Sequence, residues 1–141
     1  MSNRSTPLTR RIPAYTLTEI LVVLIIIGIL ITLVLPNLLP LITKAKSTEA
    51  KVQLEHLQLL EKNYFYEHSK YTNSLADVGF TQEKLSTEGT DGRANYRLEI
   101  SSIAAGGFTA RAVAVVDFNG NGTFNVWEID QDKNLKEVTP D

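Results

Sequence analysis

Two places in this sequence hold residues whose types and spacing could do chemistry. The first is "DFNGNGTFNVWE", residues 117 to 128. It fits the spacing D-x-[DN]-x-[DN]-G-x5-E of a calcium loop. Asp117, Asn119 and Asn121 would offer side-chain oxygens, Thr123 a backbone carbonyl, and Glu128 a two-oxygen carboxylate at the twelfth place. Gly122 stands where such a loop must turn sharply. Only two of those side chains carry charge, so a bound Ca2+ would be held weakly. "NVWEI" also has the composition of a strand rather than of an exiting helix, and Asn-Gly, present twice, is a strong turn signal. A calcium loop and a plain β-hairpin therefore both fit. The second place is Glu19, a carboxylate at the head of a long apolar run that hydrocarbon should reject.

Elsewhere the chemistry of catalysis is missing. The chain has no cysteine, so disulfides and thiolate metal sites are excluded. It has no nucleophile-elbow pattern and no glycine-rich phosphate loop leading into a helix. Asp130 and Asp132 fall among turn residues, without the signs of a pocket. His56 and His68 stand twelve residues apart on one predicted helix, a spacing that makes no ligand pair. No enzyme is expected.

The elements that carry these residues follow from length and hydropathy. A chain of 141 residues suits one small domain with an appendage. Residues 1 to 14 hold Arg4, Arg10 and Arg11 and no acid, while the remainder has 11 basic against 16 acidic groups. That acidic balance argues against broad nucleic-acid binding. From Ile20 to Ile42, 23 residues carry no charge. As a helix at ~1.5 Å per residue they reach roughly 34 Å, enough to cross a bilayer core. Ile, Leu and Val fill every face of that helix, and a domain this small could hardly enclose it. A secretory signal would need a small-residue cleavage site after the run, and "LPNLLPLITKAKS" offers a poor one. A membrane anchor fits better, with the arginines on the cytoplasmic side.

The junction "RRIPA" followed by "YTLTE" resembles the leader boundary of type IV pilin and type II secretion pseudopilin precursors. That resemblance implies a cut between Ala14 and Tyr15 by a prepilin peptidase. Counted from Tyr15, Glu19 is the fifth residue, Gly28 the fourteenth and Pro36 the twenty-second, each a usual place for that residue in the family. Two positions depart from the pattern: Ala14 replaces the usual Gly, and Tyr15 the usual Phe. Methylation of the new amino terminus is part of the same processing. The resemblance also implies an assembly role for Glu19, Gly28 and Pro36. Glu19 of one subunit would pair with the Tyr15 amine of its neighbour, so that each charge neutralises the other on leaving the lipid. The implied partners are other copies of the chain, minor pilins, the peptidase, an inner-membrane assembly platform and, before assembly, the bilayer. The implied place is the inner membrane, single-pass with a cytoplasmic N-terminus, then a periplasmic or extracellular filament. Alternatives are a minor pilin that primes or caps the filament, and a membrane-anchored binding module that never polymerises.

Past Pro36 and Pro40 the sequence is again strongly helical, so a continuous but kinked helix is expected. Ala50, Leu54, Leu57, Leu60 and Tyr64 form an apolar stripe at three- and four-residue spacings. "KYTNSLADVGF" resembles the segment after the long helix in pilins, with Tyr71, Leu75 and Phe80 as anchors. Period-two alternation then predicts four short strands, with Tyr96, Leu98 and Ile100 on one face and Arg97 and Glu99 on the other. The expected fold is α+β: a long N-terminal helix packed on a small antiparallel sheet. The expected divisions are a leader at 1–14, the helix at 15–68 with 20–42 as membrane or filament core, a loop at 69–95, and a β head at 96–141.

Overall fold

A computed structural model describes residues 13 to 141. Arg4, Arg10 and Arg11, and most of the expected leader, lie outside the described residues. One helix and four strands follow in chain order: α1 (Leu17–His68), β1 (Tyr96–Ala104), β2 (Gly107–Ala114), β3 (Val126–Asp130) and β4 (Leu135–Thr139). The expected α+β class and the strand count hold.

The chain divides into two compact units, residues 1–36 and 37–141. In the first, the described chain is the opening part of α1. Thr16 sets where the helix begins. Its carbonyl accepts the Ile20 N–H at 3.2 Å, and its hydroxyl accepts the Glu19 N–H at 3.2 Å. The Glu19 carboxylate reaches back to the Thr16 N–H at 2.8 Å. This reciprocal pair is a capping box, which satisfies two amides that a helix start leaves unpaired. α1 continues through Pro36 and Pro40 without a break. Pro36 has no N–H to give the Thr32 carbonyl. The Thr32 hydroxyl meanwhile donates to the Gly28 carbonyl at 2.8 Å.

In the second unit the later part of α1 covers one face of the sheet. Strand order is β1-β2-β3-β4, every pair antiparallel, which is the expected meander. Tyr96, Leu98, Phe108, Ala110, Ala112, Ala114 and Ile129 face inward and meet Ala50, Leu54 and Leu57 of the helix. Alanines at 110, 112 and 114 let helix and sheet approach closely, because a larger side chain on that strand would hold them apart. Burying a Leu such as Leu54 contributes about 1.5–3 kcal/mol, so this face dominates the cohesion of the unit.

Polar clamps fix the register of helix against sheet. Glu49 accepts from both the N–H and the side-chain amide of Asn95, each at 2.7 Å. The buried Tyr96 hydroxyl donates to Asn125 Oδ1 at 2.8 Å, and Asn125 donates in turn to Glu137 and to the Thr139 carbonyl. The Gln82 side chain accepts the Leu98 N–H and donates to the Tyr96 carbonyl, standing in for a neighbouring strand at the β1 edge.

Helix α1 ends at His68. Ser69 takes a left-handed φ of 56° and passes the chain into the loop. Tyr71, Leu75 and Phe80 all reach the core, as the sequence led one to expect, and Val78 joins them. Residues 84 to 94 close on themselves through Ser86 N–H to the Ala94 carbonyl and an ion pair of Lys84 with Asp91. Gly92 makes that closure possible, since a Cβ there would stand 1.8 Å from the Leu85 carbonyl oxygen.

Candidate functional site

The first unit presents its function as surface rather than as a pocket. Every large aliphatic side chain from Ile20 to Leu35 is between 45 and 64% exposed. They surround the helix, so it has no polar face with which to meet water. A span of this length and composition suits a bilayer, and none of its most apolar window is buried among the described residues. Tyr15 is 82% exposed and Ala14 is exposed, so the expected cut site is open on the surface.

Glu19 lies at the edge of that surface. Its carboxylate is committed within its own chain, to the Thr16 N–H, and stands at the positive end of the helix dipole. The isolated helix therefore needs no partner subunit to satisfy Glu19. The bond uses one carboxylate oxygen, Oε2, and leaves the other for a partner in trans. The capping box was readable in advance as Thr16-Leu17-Thr18-Glu19, a Thr followed three places on by Glu. Gly28 has nothing within 4 Å of where a Cβ would stand, so no contact described in its own chain requires glycine there.

In the second unit the proposed calcium residues separate into two groups. Asp117 accepts the Gly120 N–H at 2.6 Å and the Gly122 N–H at 2.7 Å. Asn119 accepts the Asn121 N–H, and Asn121 accepts the Thr123 N–H, at 2.8 and 2.7 Å. These oxygens hold the loop's own amides. The Gly122 amide foremost, with the Gly120 amide, keeps the Asp117 carboxyl below the usual range. Glu128 is elsewhere. It sits on the outer face of β3 with its side chain 7% exposed, paired with Arg111 on β2 and with Lys136 Nζ on β4 at 3.3 Å.

The structure thus places Glu128, the twelfth residue of the calcium pattern, in ion pairs within the sheet. Glu128 belongs to a row of alternating charge, in which Glu99 faces Arg111, Arg111 faces Glu128, and Glu128 faces Lys136 across all four strands. Burial alone would push its carboxyl up, but Arg111 and Lys136 outweigh that and hold it down. Among the described residues no group of three or more His, Asp or Glu is gathered to hold a metal. β2 and β3 pair antiparallel across this segment, the hairpin connection that the alternative reading expects. β2 stops at Ala114 and β3 starts at Val126, so residues 115–125 form a self-capped loop rather than a two-residue turn. The histidines pack against rings: His56 lies 5.9 Å from Phe80, and His68 stacks on Tyr64 at 4.1 Å. Asp130 caps the β3–β4 turn through the amides of Asp132 and Asn134.

The chain is similar to the type IV major pilin protein PilA of Myxococcus xanthus (strain DK1622), with 33% identity over 100 residues. The match takes in 71% of this chain and 41% of that relative, so the chain spans about two-fifths of its length. Among solved structures it is similar to the non-core minor pilin PilV of Neisseria meningitidis. There the identity is 11%, the TM-score 0.48, and the coverage 70% of this chain and 89% of that one. No family model matches.

Proposed function

We propose that this chain, which is related in sequence to the type IV pilins, is a structural subunit of a pilus or pseudopilus filament. It is made as a precursor in the inner membrane with its N-terminus in the cytoplasm. A prepilin peptidase cuts it between Ala14 and Tyr15. The subunit is then drawn by an assembly platform from lipid into a polymer, where other copies and minor pilins replace the bilayer around its helix. Its work is structural and calls for no catalytic residue and no cofactor.

The observation that carries this reading is the opening part of α1. From Ile20 on it is uncharged and open on every side, and Thr16 and Glu19 cap it next to where the cut would fall. Such a helix is stable only where something apolar surrounds it. Lipid and a bundle of identical helices are both such surroundings, so one sequence serves storage and assembly. After the cut, the Tyr15 nitrogen becomes a cation one residue before the amide that Glu19 holds. An incoming subunit's amine then takes the second oxygen of the same carboxylate, beside the Thr16 N–H on the first. A charged donor makes a stronger bond to a carboxylate than a neutral amide does. The test is a Glu19→Leu variant expressed with its native assembly machinery. The reading expects intact membrane-held subunit and loss of sheared filaments. Filaments at normal yield would remove Glu19 from assembly.

A further inference from the structure

Glu61 stands on α1 nineteen residues past Ile42, beyond the uncharged run, where the helix packs under the head. Its side chain is fully buried. One carboxylate oxygen accepts the Thr72 N–H at 3.3 Å. The other is shut off from solvent and has no hydrogen-bond partner. Among the described residues no lysine, arginine or histidine pairs with it.

The titratable groups around it are acids, phenols and one histidine. The loop after α1 brings Tyr71, and brings Asp77 through the Thr72 hydroxyl at 3.1 Å. The β3–β4 turn brings Asp132, whose charge acts together with that of Glu61 on the Tyr71 hydroxyl. On α1 itself, one turn further on, Tyr64 and His68 stack on each other. A buried ionised carboxylate with one long hydrogen bond and no cation is poorly solvated. The protonated carboxyl keeps the acceptor that Thr72 uses and gives up the charge.

We propose that Glu61 is a proton-operated latch on the segment 69–80: protonated, it holds that segment closed on α1, and loss of its proton to solvent loosens it. The segment depends on this point. It leaves the helix through the strained Ser69. Tyr71 is then held between Phe65 at 4.7 Å and Phe108 at 5.0 Å. Thr72 is the next residue, and it also accepts the Ser74 N–H at 3.2 Å, so the turn that delivers Leu75 and Phe80 to the core is built on it. Burial, opposed by the Thr72 amide, pushes the Glu61 carboxyl above its ordinary range. Folded-state affinity for the proton thus exceeds that of the open segment. Closure is strongest below the open-state pKa and weakens as pH rises through the higher, folded one. The device is independent of whether the chain polymerises.

The test is hydrogen exchange of the peptides covering 69–80, on the full chain in detergent micelles, between pH 5 and 8 and corrected for intrinsic rates. The parent should lose protection there by about tenfold for each pH unit that separates the folded from the open pKa. Glu61→Gln should be flat across the same window, while Asp77→Asn and Asp132→Asn keep the parent's slope. A flat parent profile, an unchanged slope in Glu61→Gln, or a slope abolished by Asp132→Asn would overturn the proposal. Should Glu61→Gln not fold, the parent's own Glu61 carboxyl resonance decides. Titration clearly above about 4.5 supports the latch, and titration at or below that value overturns it.

Discussion

Replacing Glu128 by Ala separates the two roles its position suggested, and its size can be worked from the sheet. The side chain is 7% exposed and is paired with two cations on adjacent strands. Removing one partner of a fully buried pair costs about 3–5 kcal/mol. Here the partners are more open, Arg111 at 43% and Lys136 at 69% side-chain exposure, and a wholly exposed pair contributes only ~0–1 kcal/mol. Between those bounds, Glu128→Ala should destabilise the head by about 1.5–2.5 kcal/mol. For a unit of roughly 100 residues that lowers Tm by about 6–15 °C. The melt should be followed by near-ultraviolet circular dichroism on the full chain in micelles, with and without millimolar Ca2+. The pH dependence has a fixed sign. Arg111 and Lys136 hold the Glu128 carboxyl below its unfolded value, so its contribution is present above about pH 4.5 and is lost as pH falls through the lower folded value. The parent should therefore lose stability on acidification that Glu128→Gln no longer has to lose. A change under ~0.5 kcal/mol, or Ca2+ stabilising the parent but not the variant, would refute the charge-row account and return Glu128 to the loop at 117–123.

Further outcomes follow from the same contacts. Tyr96→Phe strands the buried Asn125 Oδ1 and should cost about 1–3 kcal/mol in urea denaturation, with an unchanged m-value. Gly92→Ala places a methyl against the Leu85 carbonyl and should open residues 84–94 to proteolysis, at a cost of about 1–3 kcal/mol. Thr16→Ala removes the hydroxyl half of the capping box and should fray the start of α1 by about 0.5–2 kcal/mol, read as faster amide exchange at Glu19.

What the sequence made legible is what periodicity encodes. The stripe from Ala50 to Tyr64 and the alternation at Tyr96, Leu98 and Ile100 each announce the face they bury, because burial repeats with the geometry of the element. Tyr71, Leu75 and Phe80 were legible through the resemblance of "KYTNSLADVGF" to the segment that follows the long helix in pilins. Glu61 was not. It falls on the buried side of α1, but a charge at such a position reads as solvated until the loop that covers it is in place. The Glu49–Asn95 clamp joins residues 46 apart, and no local pattern reports a contact at that separation. Glu128 fitted two readings because a one-dimensional motif fixes spacing and not side: on the strand, its side chain meets Arg111 of β2 and Lys136 of β4.

The central proposal is that a cut before Tyr15 frees an amine beside Glu19 and that the open apolar helix becomes the core of a polymer. The most direct measurement is the intact mass and N-terminal sequence of the protein from native membranes and from sheared surface material. A mature chain starting at Tyr15, with a methylated amine and present in the sheared fraction, is the predicted result. A chain that still starts at Met1 or Ser2, and stays in the membrane fraction, would leave Glu19 without its proposed partner and contradict the account.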